Sequence, residues 1–140
     1  MDNYMVIDKL VNEMLNEQQI CSEINYAIYQ EMIQFELKEK FGRLYYILND
    51  TGNQLISIMY VIFKPIEPCW YIKFSWTNPT YRNRGYHRRL KVEFESWVKN
   101  HSQHKLIKTE VSSTNDLMLS LNQKGGYKIK KLIMYKNMND

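Results

Sequence analysis

The sequence predicts an α/β fold of the α+β kind, with a mixed central sheet flanked by helices on both faces. Three observations carry this expectation. Apolar residues recur first with helical spacing, then with strand alternation, and then in turn, giving the order α, α, β, β, β, α, β, α, β. The third strand leads through a helix to another short strand, a unit whose two strands run parallel with a right-handed crossover. The 140 residues, 44% of them hydrophobic, suffice for one core rather than two, so residues 1–140 read as a single domain.

Each element has its own signal. Ile7, Leu10, Val11, Met14 and Leu15 share one helical face. A second helical pattern runs through Ile20, Ile24, Ala27, Ile28, Met32 and Phe35, and Lys38 and Lys40 complement its C-terminal dipole. Gly42 offers that helix a left-handed stop. The segments RLYYILN and QLISIMYVIF, separated by the turn residues of NDTGN, predict a hairpin. Pro65 and Pro68 break the chain before WYIKFSWT, where Trp70, Ile72, Phe74 and Trp76 alternate as one buried face.

From Tyr86 onward Leu90, Phe94, Trp97 and Val98 restore the helical period as far as Asn100 and His101. KLIKTEV is a short strand. SSTNDLMLSLNQKGG is a helix with Ser and Thr available as N-cap and Gly125 and Gly126 as stop. YKIKKLIMYKN reads as a last strand. There is no internal repeat, low-complexity tract or linker.

Composition narrows the function classes. A net charge of +4 favours phosphorylated partners weakly and is no nucleic-acid signature. The lysines of KGGYKIKKLIMYK read as the solvated face of a strand, so a nucleic-acid partner is not expected. Cys21 and Cys69 are far apart, with no pattern for a metal site, and read as reduced structural thiols. Asp2, Asp8 and Glu13 interrupt the apolar residues of the N-terminus, which argues against a signal peptide. No run of about 18 apolar residues predicts a membrane span. Cytoplasmic residence is the default expectation, and a homodimer is left open.

The stretch TNPTYRNRGYHRRL, Thr77 to Leu90, does not fit an ordinary helix start. Arg82, Arg84, Arg88 and Arg89, with His87 as a further titratable group, place positive charge where a helix dipole opposes it. A bound anion would reconcile the two. The first N–H groups of a helix have no intrahelical acceptors and form an anion cradle. Gly85 lets the main chain approach such a ligand without a Cβ in the way. The local physics therefore points to a phosphate or pyrophosphate site.

On these residues, NPTYRNRGYHRRL resembles the pyrophosphate-binding segment of the GNAT acyltransferase superfamily, Pro-x-Tyr-Arg-x-x-Gly-x-Gly followed by a helix. TNDLMLSLNQKGGYK resembles the family's second signature, an Asn opening a short helix that ends in Lys-x-Gly-Phe. Both stand at the family's usual separation, and the likeness covers about two-thirds of the chain, far more specific together than either short motif alone.

The resemblance implies acetyl-CoA, or another acyl-CoA, as donor. By the same likeness Trp76 and Thr77 offer backbone groups to the pantetheine arm where their strand splays from Lys105–Val111. The amides of Asn83, Arg84, Gly85, Tyr86, His87 and Arg88 hold the pyrophosphate beside the charge of Arg82, and Asn115 meets the pantetheine. Arg84, Arg88 or Arg89 reaches the extra ribose phosphate. Three positions depart from the pattern. His87 replaces a small residue and is expected to point outward, Trp70–Thr77 carries no carboxylate, and Asn122 stands where many members have the tyrosine that protonates the leaving thiolate.

The implied reaction is direct attack of an amine on the thioester. Glu110 is the first candidate for general base and Glu67 the second, with Asn122 at the position of the acid. His101 and His104 suit a helix C-terminus and read as structural, as do Tyr127 and Tyr135. Cys69 has no nearby histidine to make it a nucleophile. The expectation is an N-acetyltransferase acting on a protein lysine, an aminoacylated nucleic acid or a small-molecule amine. The alternative is a catalytically silent protein of the same fold that serves as an interaction or inhibitor module and retains the coenzyme site.

Overall fold

The structure is a computed structural model and describes residues 3–18 and 23–139. It forms two compact units, one ending at Thr109 and the other beginning at Glu110. In the first unit, helices α1 (Asn3–Glu17) and α2 (Glu23–Lys38) precede strands β1 (Gly42–Leu48), β2 (Leu55–Lys64) and β3 (Cys69–Thr77). A single 3₁₀ turn, Pro79–Tyr81, leads into α3 (Tyr86–His101), and β4 (Ile107–Thr109) closes the unit. The sheet order is β1-β2-β3-β4, antiparallel except for the parallel pair β3/β4. The mixed sheet and the parallel βαβ unit are as the sequence predicts.

Strand alternation divides the core between the two faces. Leu44, Tyr46, Ile58, Tyr60, Phe74 and Trp76 meet α1 and α2 on one side. Tyr45, Met59, Val61, Trp70 and Ile72 meet Leu90, Phe94 and Val98 of α3 on the other. The register steps from Val61↔Ile72 to Tyr60↔Phe74, so a bulge at Lys73 turns the strand over. Trp70 and Ile72 therefore do not share a face with Phe74 and Trp76, as simple alternation predicts.

Helix α1 buries the expected face, with Val6, Leu10 and Val11 fully enclosed. Helix α2 does not. Its packing side is Tyr26, Tyr29, Ile33 and Leu37, whereas Ile24 is 73%, Ile28 53% and Phe35 59% exposed. Two polar links favour that rotation: Tyr26 donates to Asp8 of α1, and the Tyr60 hydroxyl donates to Glu36 at 2.6 Å. Donation to Asp8 pushes the Tyr26 phenol up to about 12. Ile20 and Cys21 lie outside the described residues. Cys69 is a buried free thiol.

The left-handed residue that ends α2 is Lys40 (φ 64°), not Gly42. Gly42 is needed for another reason, since a Cβ there would stand 2.7 Å from the Tyr60 hydroxyl. At the end of α3, Lys105 donates to the carbonyls of Val98 and Lys99, and Trp70 Nε1 donates to Ser102. His101 stacks on Trp97 and His104 on Phe63, which gives both histidines structural places.

The second unit contains α4, Asp116–Lys124. Its N-cap is Asn115, whose side chain accepts from Met118 N at 3.1 Å, rather than a Ser or Thr. Gly125 caps its end, and Gly126 takes the left-handed conformation (φ 93°). The strand expected over Tyr127–Asn137 is not formed. Adjacent Lys130 and Lys131 break its alternation, and Leu132, Met134 and Tyr135 are each at least four-fifths exposed, so the segment has no apolar face around which a strand could pair. None of the described helices is long and apolar enough to cross a membrane.

Candidate phosphate cradle and acyl-transfer site

The end of β3 is fixed before the basic turn begins. Buried Ser57 of β2 shares a 2.9 Å hydrogen bond with Thr77 and also donates to the Trp76 carbonyl. The Asn78 N–H donates to Ile56 O, while its side-chain oxygen accepts from Thr80 N and its carbonyl from Tyr81 N. Arg82 Nε then returns to Thr77 O at 3.0 Å. This polar lock was missed from the sequence; the Asn-Pro pair at 78–79 is the signal that could have revealed it. Asn78→Ala is expected to cost about 1 kcal/mol, the usual worth of a side-chain cap, in a denaturant titration.

Between the lock and α3 the chain makes a tight reversal, with Asn83 at φ 63° and Gly85 at φ 83°. Gly85 is the N-cap and brings no side-chain hydrogen bond, and Arg89 N donates to its carbonyl. Beyond its own chain neighbours, no protein atom lies within 4 Å of where a Cβ on Gly85 would be. The approach to the start of α3 is thus open on the side of Gly85. Arg84 leans on the Tyr81 ring, which meets Tyr86 edge-on, and Arg82, Arg84, Arg88 and Arg89 are all exposed around the opening. These features fit a diphosphate: backbone donors, a helix dipole and exposed cations around one turn.

His87 departs from expectation because it is half-buried rather than turned outward. Burial first, and then the charge of Lys91 one turn along, lower its pKa below the usual 6.5. Burial likewise lowers Lys91, partly offset by Glu95. The imidazole is thus neutral at neutral pH, leaving the arginines as the cations of the opening. A folded-state pKa below the unfolded value means that the unfolded chain takes up the proton first, so stability falls as pH drops through the unfolded pKa near 6.5. His87→Gln should flatten the dependence of melting temperature on pH between about 7 and 5.

Strand β3 pairs with β4 only over Trp70–Ile72, opposite Ile107–Thr109. From Lys73 to Thr77 its outer edge has no strand partner among the described residues, and β4 is shorter than the expected Lys105–Val111. Such an edge can grip an amide-containing chain in the manner of an added strand, although the Trp76 and Thr77 carbonyls already accept from Ser57 and Arg82. Trp76 and Thr77 thus lie at the end of a free edge that leads into the cradle.

Beside this strand end a cavity of about 720 Å³ opens toward α1, lined among others by Tyr4, Asp8, Glu13, Trp76 and Arg82. Its charges are already engaged: Lys9 pairs with Glu13 at 2.9 Å and lies over Trp76, and Asp8 accepts from Tyr26 and Asn12. The Pro65–Pro68 turn does not line it.

The remaining candidates are placed less tellingly. Glu110 is exposed and directly follows β4. Glu67 stands 3.9 Å from Lys108. Asn122 is buried on α4, and its carbonyl accepts from Tyr127 N. The described residues contain no cluster of metal-ligating groups.

Comparison with known proteins agrees with the fold. The family model for the acetyltransferase (GNAT) family matches residues 10–127. The chain belongs to the GNAT family. Among solved structures, a Pyrococcus furiosus protein assigned as an acetyltransferase superposes with a TM-score of 0.74 at 21% identity, covering 97% of this chain and 94% of its own. A Staphylococcus aureus protein assigned to the GNAT acetyltransferases gives 0.68 at 23%, with coverages of 78% and 93%. An aminoglycoside N-acetyltransferase solved with CoA gives 0.74 at 14%, with 98% and 91%. Identities this low establish the shared GNAT fold. No curated protein matches the chain.

Proposed function

We propose that this GNAT chain is an acyl-CoA-dependent N-acetyltransferase that moves an acetyl group directly to a primary amine. The observation that carries the reading is the uncapped start of α3, held open behind left-handed Gly85 and continuous with the partnerless edge of β3. When bound, the coenzyme supplies an acetyl thioester. The amides of Asn83 to Arg88 hold the diphosphate, Arg82 stiffens the loop, and Arg84, Arg88 or Arg89 takes the ribose phosphate. Backbone groups of Trp76 and Thr77 align the arm, and the Asn115 amide nitrogen is the donor its cap leaves over.

The acceptor nitrogen attacks in its neutral form. Glu110 is the base that takes its proton, exposed where it can exchange with solvent. An N–H of the free edge steadies the charge that develops on the carbonyl oxygen. Asn122 has no proton to give at neutral pH, so the thiolate leaves without a dedicated acid. Orientation then supplies most of the acceleration. The aminoglycoside acetyltransferase of the same fold favours a small-molecule amine as acceptor. The absence of an acid at Asn122 favours the second reading, a silent module with the same coenzyme site.

Free thiol release from acetyl-CoA, measured across polyamines, aminoglycosides and lysine peptides, tests turnover. Release with none of them, despite coenzyme binding, would favour the silent module. Glu110→Gln is expected to lower kcat by about 100-fold, the lower end for loss of a general base, with coenzyme binding unchanged. Undiminished turnover would remove Glu110 from the mechanism.

A further inference from the structure

Lys73 alone among the nine residues of β3 has a cross-strand partner on neither side. On the β2 side the register skips it, passing from Ile72 to Phe74. On the other side the β4 ladder ends one residue earlier, at Ile72. Lys73 is thus where the free edge of β3 begins. Its half-buried side chain turns toward α2, with Nζ 3.9 Å from Met32 Sδ and 6.0 Å from the centre of the Tyr60 ring. Among the described residues no carboxylate lies within ion-pair distance of it. Lys9 and Lys108, by contrast, lie beside Glu13 and Glu67.

We propose that Lys73 is an acetylation site of the protein itself, modified by the acetyl group carried to this edge. The inference rests on the acyl-CoA reading above and goes beyond it. From Thr77 back to Lys73 is four residues, about 13 Å of strand. In the coenzyme arm about twelve covalent bonds separate the phosphate ester oxygen from the sulfur, the backbone length of about four residues. An arm whose phosphate end sits beside Thr77, where Arg82 ties the loop to the strand end, spans that length to the bulge.

There the Lys73 ε-nitrogen, after losing a proton to solvent, attacks the thioester carbonyl carbon. The C–N bond forms, the C–S bond breaks, the nitrogen gives up its second proton, and the CoA thiolate leaves and takes one up. No oxidant or further reactant is needed. The product is an uncharged amide beside Met32 and Tyr60, which gives up the contact of the ammonium with the Tyr60 ring.

The test is peptide mass spectrometry after incubation with acetyl-CoA, on the folded chain, the urea-unfolded chain and Lys73→Arg, with a thermal-shift scan in parallel. In the folded chain acetylation at Lys73 is expected to exceed that at Lys64 and Lys108 by at least about tenfold, because proximity acts there alone. Unfolding should erase the preference, and Lys73→Arg should lose it while keeping the coenzyme-induced shift. CoA without an acetyl group should protect Lys73 from an amine-reactive reagent, a readout independent of turnover. If acetyl-CoA raises the melting temperature but Lys73 gains no more acetyl than Lys64, this inference falls and the acyl-CoA reading stands. If there is no thermal shift, both fall.

Discussion

Replacing Gly85 with glutamate is expected to abolish the stabilisation that acetyl-CoA gives the wild-type chain. Two costs combine. Residue 85 sits at φ 83°, where an L side chain is strained by about 1–2 kcal/mol. The Cβ would enter open space and bring a carboxylate to the proposed place of the diphosphate. The new carboxylate could itself occupy the helix terminus, so the variant should fold while losing its ligand. At a coenzyme concentration of about 100 times Kd the wild type gains about 2.7 kcal/mol, and the variant should gain nothing measurable. Gly85→Ala separates the costs: it carries the backbone strain without the charge and should keep part of the shift. An equal shift in wild type and Gly85→Glu would place the anion elsewhere.

The largest effect on stability is expected from Phe94→Ala. Phe94 is fully enclosed, with its ring edge-on to Tyr45 at 5.7 Å and to Trp70 at 6.3 Å, and it joins α3 to the sheet. Truncating a buried phenylalanine costs about 3–5 kcal/mol, because transfer energy is lost and a cavity is left. Against a typical total of about 5–15 kcal/mol this brings the chain near unfolding at moderate temperature. A urea titration should show the midpoint fall sharply, whereas Phe94→Leu should cost less than about half as much. The loss should reach coenzyme binding too, since the proposed cradle is the start of the same helix.

What could be read from the sequence follows what each signal measures. Period and turn chemistry report local geometry, so α1, the β1/β2 hairpin and α3 lie where their spacing puts them. The tight turn into α3 was legible because its residues are contiguous: Asn83 and Gly85 take the left-handed conformation without help from distant chain. Helix α2 was placed correctly but rotated wrongly, because both of its faces carry large apolar or aromatic residues. The choice between them was made by Asp8 and Glu36 accepting from tyrosines on other elements, pairings that spacing does not encode. The Lys73 bulge escaped for the same reason, since one skipped residue in a register leaves the composition of a strand unchanged. The final strand failed because its alternation breaks at Lys130 and Lys131, and Leu132, Met134 and Tyr135 are left exposed rather than gathered on one apolar face.

Titration calorimetry of the purified protein with coenzyme A bears most directly on the central claim, because it requires neither an acceptor nor turnover. Saturable heat with one-to-one stoichiometry, lost in Gly85→Glu, is the predicted result. The absence of saturable heat at millimolar coenzyme A would contradict the assignment of the α3 opening as a diphosphate site.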